Sequence, residues 1–221
     1  MQEKKSFSRV LGTGGYLPGK PVTNQELVNR LRKLDVETSD EWIKERSGIT
    51  SRYFCGEMST RDLGYIAAKE AIEAASIDVT SIDLIIVATT TPDLIFPSVA
   101  CHIEKDLGLE RCTSFDIQAV CSGFVYALTV ADLFLKTGMK NKALVIGAER
   151  LSTILNWRDR STCVLFGDGA GAVVLGKSSV RGIIASDISS SGKFCDILRA
   201  TGTPKNGALE GTGYAEMQGQ E

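Results

Sequence analysis

A cysteine set where a strand turns into a helix is one of the few arrangements that activate a thiol without a metal. Residues Thr113–Gly138, TSFDIQAVCSGFVYALTVADLFLKTG, have that pattern. Phe115, Ile117 and Ala119 alternate with Asp116 and Gln118, the two-residue period of a pleated chain. Beyond them Phe124, Leu128, Ala131 and Leu135 recur at helical spacing, and Gly138 stands where such a helix is capped. Cys121 falls on the junction, followed by Ser122 and Gly123. An exposed thiol there faces unpaired N–H groups and the positive end of the helix dipole. A free thiol is only about 3% ionised at pH 7, and a helix terminus contributes roughly 0.3–2 kcal/mol. The gain is modest, so a further base or donor is called for. The same residues also suit a small buried cysteine at a strand end, and the surroundings have to decide.

Other residues carry candidate chemistry. Thr38-Ser39-Asp40-Glu41 reads as a capping box with Thr38 as the cap, and the short helix it opens ends near Gly48. Trp42 and Arg46 share a face of that helix. They make either a half-buried aromatic with a surface arginine or a stacking, anion-binding surface for a nucleotide-like group. Arg158 and Arg160 lie in an irregular polar stretch, where arginines face solvent or hold phosphate. His102 reads as a solvated histidine on a helix running from Ser98 to about Leu107. The glycines of TCVLFGDGAGAVVLG, Thr162–Gly176, do not have the G-x-G-x-x-G spacing, and a strand-like run rather than a helix follows them. They predict close backbone approach to another element rather than a phosphate cradle.

The elements that must position these groups follow an α/β pattern. Phe7–Gly12 reads as a short strand broken by Gly12, Gly14, Gly15, Pro18 and Gly19. Thr23–Leu34 reads as a helix. Ser59 caps another, with Leu63, Ile66, Ala67, Ala71 and Ala74 as its apolar stripe. Ile82–Thr91 is an apolar strand suited to a parallel sheet covered on both faces, and Lys142–Gly147 is a second. From Val180 the layout of FSRVLGTG returns weakly in VRGIIASD, as if a second half were starting.

The bulk numbers exclude several classes. A chain of 221 residues with net charge −2 has no basic footprint for nucleic acid or an anionic membrane. None of the six cysteines forms a C-x-x-C pair and there is one histidine, so a zinc site is not expected. MQEKKSFSRV lacks the apolar core of a secretory signal, and Ile82–Ala88 is too short to span a bilayer. A reducing cytoplasm with free thiols fits best.

Taken in order, GTGGYLP (Gly12–Pro18), TSDEWIKERSGI (Thr38–Ile49), ATTTPD with FPS (Ala88–Ser98), FDIQAVCSGFVYAL (Phe115–Leu128) and DRSTCVLFGDGAGAVVL (Asp159–Leu175) resemble the beta-ketoacyl-acyl-carrier-protein synthase III family. The resemblance implies a thiolase-like layered αβαβα fold. Residues 1–177 would form the complete first half and 178–221 the truncated beginning of the second, the chain matching the N-terminal two-thirds of such enzymes. It implies a homodimer that condenses acyl-coenzyme A, usually acetyl-coenzyme A, with malonyl-acyl carrier protein. Acyl-coenzyme A is then a substrate, and no cofactor is implied. Cys121 falls on the nucleophile, and its backbone N–H on an oxyanion-hole donor. Trp42 matches the aromatic that stacks on the adenine, Arg160 the arginine on its other side, and Arg46 a basic residue near the phosphates. Phe96 matches the residue reaching into the partner subunit's acyl pocket. Thr90, Phe166 and Leu198 match pocket walls. The family's catalytic histidine and asparagine, from a His-Gln-Ala-Asn stretch, have no counterpart, because no histidine follows His102. The residues therefore leave open a condensing synthase, a coenzyme A-binding homologue without the chemistry, and a sister synthase that uses another acyl group.

Overall fold

The structure, a computed structural model, describes residues 6–205 and 208–218. Residues 1–5 of the segment read as lacking a signal lie outside the described residues, as do 206–207 and 219–221 of the final stretch. In chain order the elements are β1 (Phe7–Tyr16), β2 (Val22–Thr23), α1 (Asn24–Arg32), α2 (Asp40–Ser47), β3 (Ser51–Arg52), α3 (Thr60–Ala75), β4 (Leu84–Ala88) and α4 (Val99–Asp106). They continue with β5 (Thr113–Ile117), α5 (Gly123–Lys136), β6 (Lys142–Arg150), α6 (Arg160–Cys163), β7 (Asp168–Ser178), β8 (Leu198–Ala200), β9 (Thr203–Lys205), β10 (Ala208–Glu210) and β11 (Ala215–Met217). Two compact units interleave along the chain. One comprises Met1–Leu17, Gly56–Glu149 and Gly169–Ile188, the other Pro18–Cys55, Arg150–Asp168 and Ser189–Glu221.

The first unit is a mixed five-stranded sheet ordered β1-β7-β6-β4-β5. β4 runs parallel to both β5 and β6, while β1 and β7 are antiparallel. Every residue of β4, LIIVA, is buried, which its unbroken apolar run predicts for a strand covered on both faces. On one face α3 and α4 pack through Ala67, Ala68, Ala71, Val99, Ala100 and Ile103. On the other α5 packs through Ala127, Ala131 and Leu135. The alanines let the helices lie close to the strands.

β1 is longer than its glycines predict and runs on to Tyr16. Gly12 and Gly14 do not end it; they give α3 room. A Cβ at Gly14 would stand 2.3 Å from Ala67 O and 2.4 Å from Ala71 N. The stripe of α3 is also shifted: Gly64 and Ala68 are buried, and Ala74 is exposed. Arg181–Ile188 forms no strand. Ile183 N–H instead donates to Ser8 O at 2.8 Å.

The second unit has its own core of Leu27, Val28, Leu31, Ile43, Leu155, Cys163 and Val164. Thr23 caps α1 in a full box with Glu26. On α2 the cap is Ser39, not Thr38: its hydroxyl accepts the Trp42 N–H, and the helix ends at Gly48 with φ 72°. Gly167 is a close approach of the predicted kind, since a Cβ there would stand 2.9 Å from Tyr53 O. β8 pairs with β11, and β9 with β10, each antiparallel.

Candidate active site

In the first unit the parallel strands bring their carboxyl ends to one edge, and Cys121 stands there. The chain leaves β5 and makes a single 3₁₀ turn, Val120–Ser122, in which Ser122 N–H donates to Ala119 O at 3.1 Å. Val120 holds φ 47°, a left-handed backbone that costs a β-branched residue about 1–3 kcal/mol. The turn leaves Cys121 exposed at the start of α5. Side chains of Thr23, Ser39, Ser59 and Ser98 cap α1 to α4, whereas Ser122 makes no side-chain cap on α5. Among the described residues, Cys121 N–H donates to no backbone carbonyl. The exposed thiol therefore sits beside its own unbonded backbone N–H, a donor of the kind an oxyanion needs.

Small residues seat this turn. A Cβ on Gly123 would lie 3.3 Å from Ala88 Cβ, so the head of α5 rests on the end of β4. Thr89 N–H continues the ladder to Ile117 O at 3.1 Å. Thr90 N–H donates to Glu149 Oε1 at 2.7 Å, and Thr91 Oγ1 donates to Glu149 Oε2 at 2.6 Å. Burial pushes the Glu149 carboxyl up against these bonds. Thr90 is half-buried.

Phe96 lies in a pinned loop of the same unit. It is 82% exposed, and Leu94 and Ile95 beside it are 51% and 77% exposed. Before them the Asp93 carboxylate accepts the Thr60 and Arg61 N–H groups, each at 2.8 Å. After them the Asp116 carboxylate accepts the Val99 and Ala100 N–H groups at 2.8 and 2.9 Å. Burial raises the pKa of Asp116. His102 is not freely solvated: it is half-buried on α4, and its Nε2 is enclosed without a hydrogen-bond partner among the described residues.

In the second unit the guanidinium of Arg160 lies 4.6 Å from the centre of the half-buried Trp42 ring. Arg160 Nη1 also donates to Glu37 O at 2.7 Å, and Arg158 Nη1 to Leu34 O at 3.2 Å. Arg46 is exposed in the last turn of α2. A cavity of about 490 Å³ opens among Val28, Arg32, Asp35, Val36, Glu37 and Thr38. Thr38 Oγ1 is buried without a partner among the described residues. Phe166 packs half-buried on the unit's core, and Leu198 is 41% exposed on β8.

Two residues at these sites escaped the sequence. Thr38 looked like a cap because either residue of a Thr-Ser pair can serve as one. Glu149 has no local signature, because an acid at the end of KALVIGAE signals nothing by itself. Among the described residues no three metal-ligating side chains cluster, and no helix is long and apolar enough to cross a membrane.

Residues 115–192, which include the Cys121 turn, match the family model of 3-oxoacyl-acyl-carrier-protein (ACP) synthase III. The crystal structure of that synthase from Aquifex aeolicus VF5 superimposes with a TM-score of 0.85 over 96% of this chain, at 43% identity. The chain is therefore similar to the 3-oxoacyl-ACP synthase III family over the stretch it shares with it. A second synthase III, from Pseudomonas aeruginosa PAO1, matches at 32% identity over 92% of the chain with a TM-score of 0.80. The priming beta-ketosynthase of the R1128 polyketide pathway matches at 38% identity over 80% of the chain, covering 52% of its own, with a TM-score of 0.74. The chain spans 64% of the Aquifex synthase III and 63% of the Pseudomonas one, under two-thirds of each. The mixed α/β layers described above are those of this thiolase-like family.

Proposed function

We propose that this protein carries the acyl-accepting half of a decarboxylative condensation that starts fatty acid synthesis. The observation that carries this reading is the exposed Cys121 on its left-handed turn, next to the uncapped start of α5, inside the stretch that the family model matches. The Cys121 thiolate attacks the carbonyl of an acyl-coenzyme A, acetyl-coenzyme A in the simplest case. The developing oxyanion takes hydrogen bonds from the Cys121 N–H and a second donor. Coenzyme A leaves as its thiolate, and the acyl group stays on sulfur. Malonyl-acyl carrier protein then breaks its bond to the carboxylate and releases carbon dioxide. The electron pair left on carbon attacks the acyl thioester, a carbon–carbon bond forms, and Cys121 leaves as thiolate. The product is a 3-oxoacyl thioester on the carrier protein.

In this reading Trp42 and Arg160 flank the adenine, and Arg46 faces the phosphates. Thr90, Phe166 and Leu198 wall the acyl group. Phe96 enters the acyl pocket of a second copy in a homodimer, which its exposure suits. Acyl-coenzyme A is a substrate, and the scheme needs no resident cofactor. A cytoplasmic setting fits thiols that stay free. The first half of the fold would be residues 1–177 and the start of the second 178–221. No histidine follows His102, and the scheme assigns no residue of this chain to polarise the malonyl thioester. The likeness to the R1128 priming synthase supports a second reading, in which the accepted acyl group is a polyketide primer. Cys121→Ser tests the shared core of both: it should abolish labelling by radioactive acetyl-coenzyme A, and undiminished labelling would remove Cys121 as nucleophile.

A further inference from the structure

Glu149 is a half-buried acid that none of these steps uses. It stands on β6 two residues past Gly147, which pairs with Ala88 of β4, and so beside Thr90. Its two oxygens take two different groups of the threonine turn, the Thr90 N–H and the Thr91 hydroxyl. The rest of that turn is also tied down. Thr91 N–H donates to Thr89 Oγ1 at 3.2 Å, Thr60 Oγ1 donates to Thr91 O at 2.6 Å, and Thr89 N–H holds Ile117 O on the strand that leads to Cys121. A neutral side chain would fill the same space without desolvating a charge. A carboxylate gives shorter, stronger bonds, and its stiffness falls on a turn next to the head of α5.

We propose that Glu149 is a positioning residue: by clamping Thr90 and Thr91 it fixes the wall against which an acyl group lies beside Cys121. The inference rests on the reading of Thr90 as that wall. Glu149→Ala removes both bonds, and the loss of a charge-assisted bond corresponds to about a tenfold effect. Glu149→Gln keeps the length and one acceptor.

The test has two readouts on purified, folded protein. The first is acyl transfer from acetyl-coenzyme A to Cys121, followed by intact mass. Glu149→Ala should raise KM about tenfold with a smaller change in kcat, and Glu149→Gln should restore most of it. The second needs no enzyme activity: the ratio of Cys121 labelling rates by iodoacetamide and by N-hexyl iodoacetamide. That ratio should shift at least threefold in Glu149→Ala and return in Glu149→Gln. If Glu149→Ala only melts earlier, with KM and the labelling ratio unchanged, the residue is structural and the proposal is overturned. If wild-type Cys121 takes no acetyl group but the ratio still shifts, the functional reading fails and the role of Glu149 stands.

Discussion

The Trp42–Arg160 stack makes an unequal prediction for its two members. A flat ring held between two faces needs about 3.5 Å on each side, about 7 Å in all. The guanidinium stands 4.6 Å from the indole centre, so it must retreat by about 2.4 Å before an adenine fits. Leaving the indole costs about 0.5–1 kcal/mol, and stacking on the incoming base returns a similar amount. Arg160 therefore exchanges one stack for another, and the 2.7 Å bond to Glu37 O can only add to the cost of moving. Trp42 gives up that same ~0.5–1 kcal/mol but gains a base worth about 1–3 kcal/mol, a net of about 1.3 kcal/mol at mid-range. Trp42→Ala should then weaken coenzyme A binding by about eightfold, while Arg160→Ala stays within about threefold of wild type. Isothermal titration with coenzyme A measures both. A loss in Arg160→Ala as large as that in Trp42→Ala would refute the exchange argument and mean that the arginine engages the ligand in some way other than stacking.

Two further outcomes follow from packing and burial. Gly14→Ala drives a Cβ into the backbone of α3 at 2.3 Å; overpacking of this kind costs about 3 kcal/mol, so the melting temperature by circular dichroism should fall by about 6–12 °C. An unchanged melting temperature would mean that α3 lifts off the sheet freely. Burial pushes the thiols of Cys112 and Cys163 up to about 11, which leaves only about 0.1% thiolate at pH 8. Brief iodoacetamide treatment of the native protein followed by peptide mapping should modify the exposed Cys101, Cys121 and Cys195 and spare those two. Early labelling of Cys163 would contradict its burial.

The sequence was most legible where one local rule acted alone. β4 announces itself by its apolar run and α5 by its period, and the junction of β5 with α5 marks Cys121. It misled where a residue answered to a distant neighbour. Gly12 and Gly14 look like strand breakers, yet they keep the strand and make room for a helix fifty and more residues away in the chain. Thr38 and Ser39 compete for one cap, and only the backbone geometry chooses Ser39. VRGIIASD has a strand's composition but pairs by a single bond to Ser8 rather than a ladder. The meeting of Trp42 with Arg160, 118 positions apart, is visible in no local pattern; only the likeness to a known family anticipated it.

The pinned loop around Phe96 bears on the speed of assembly. Asp93 and Asp116 each satisfy two first-turn N–H groups of a helix, one on either side of the exposed Leu94, Ile95 and Phe96. Apolar tips on slack loops must be gathered into shape during an encounter, which slows association and reduces affinity. Here the shape is made before the encounter. If two copies meet through this loop, the productive fraction of collisions is limited by their orientation rather than by waiting for the loop to order. Loosening either carboxylate would show first as a slower approach to the dimer, with the final complex little changed.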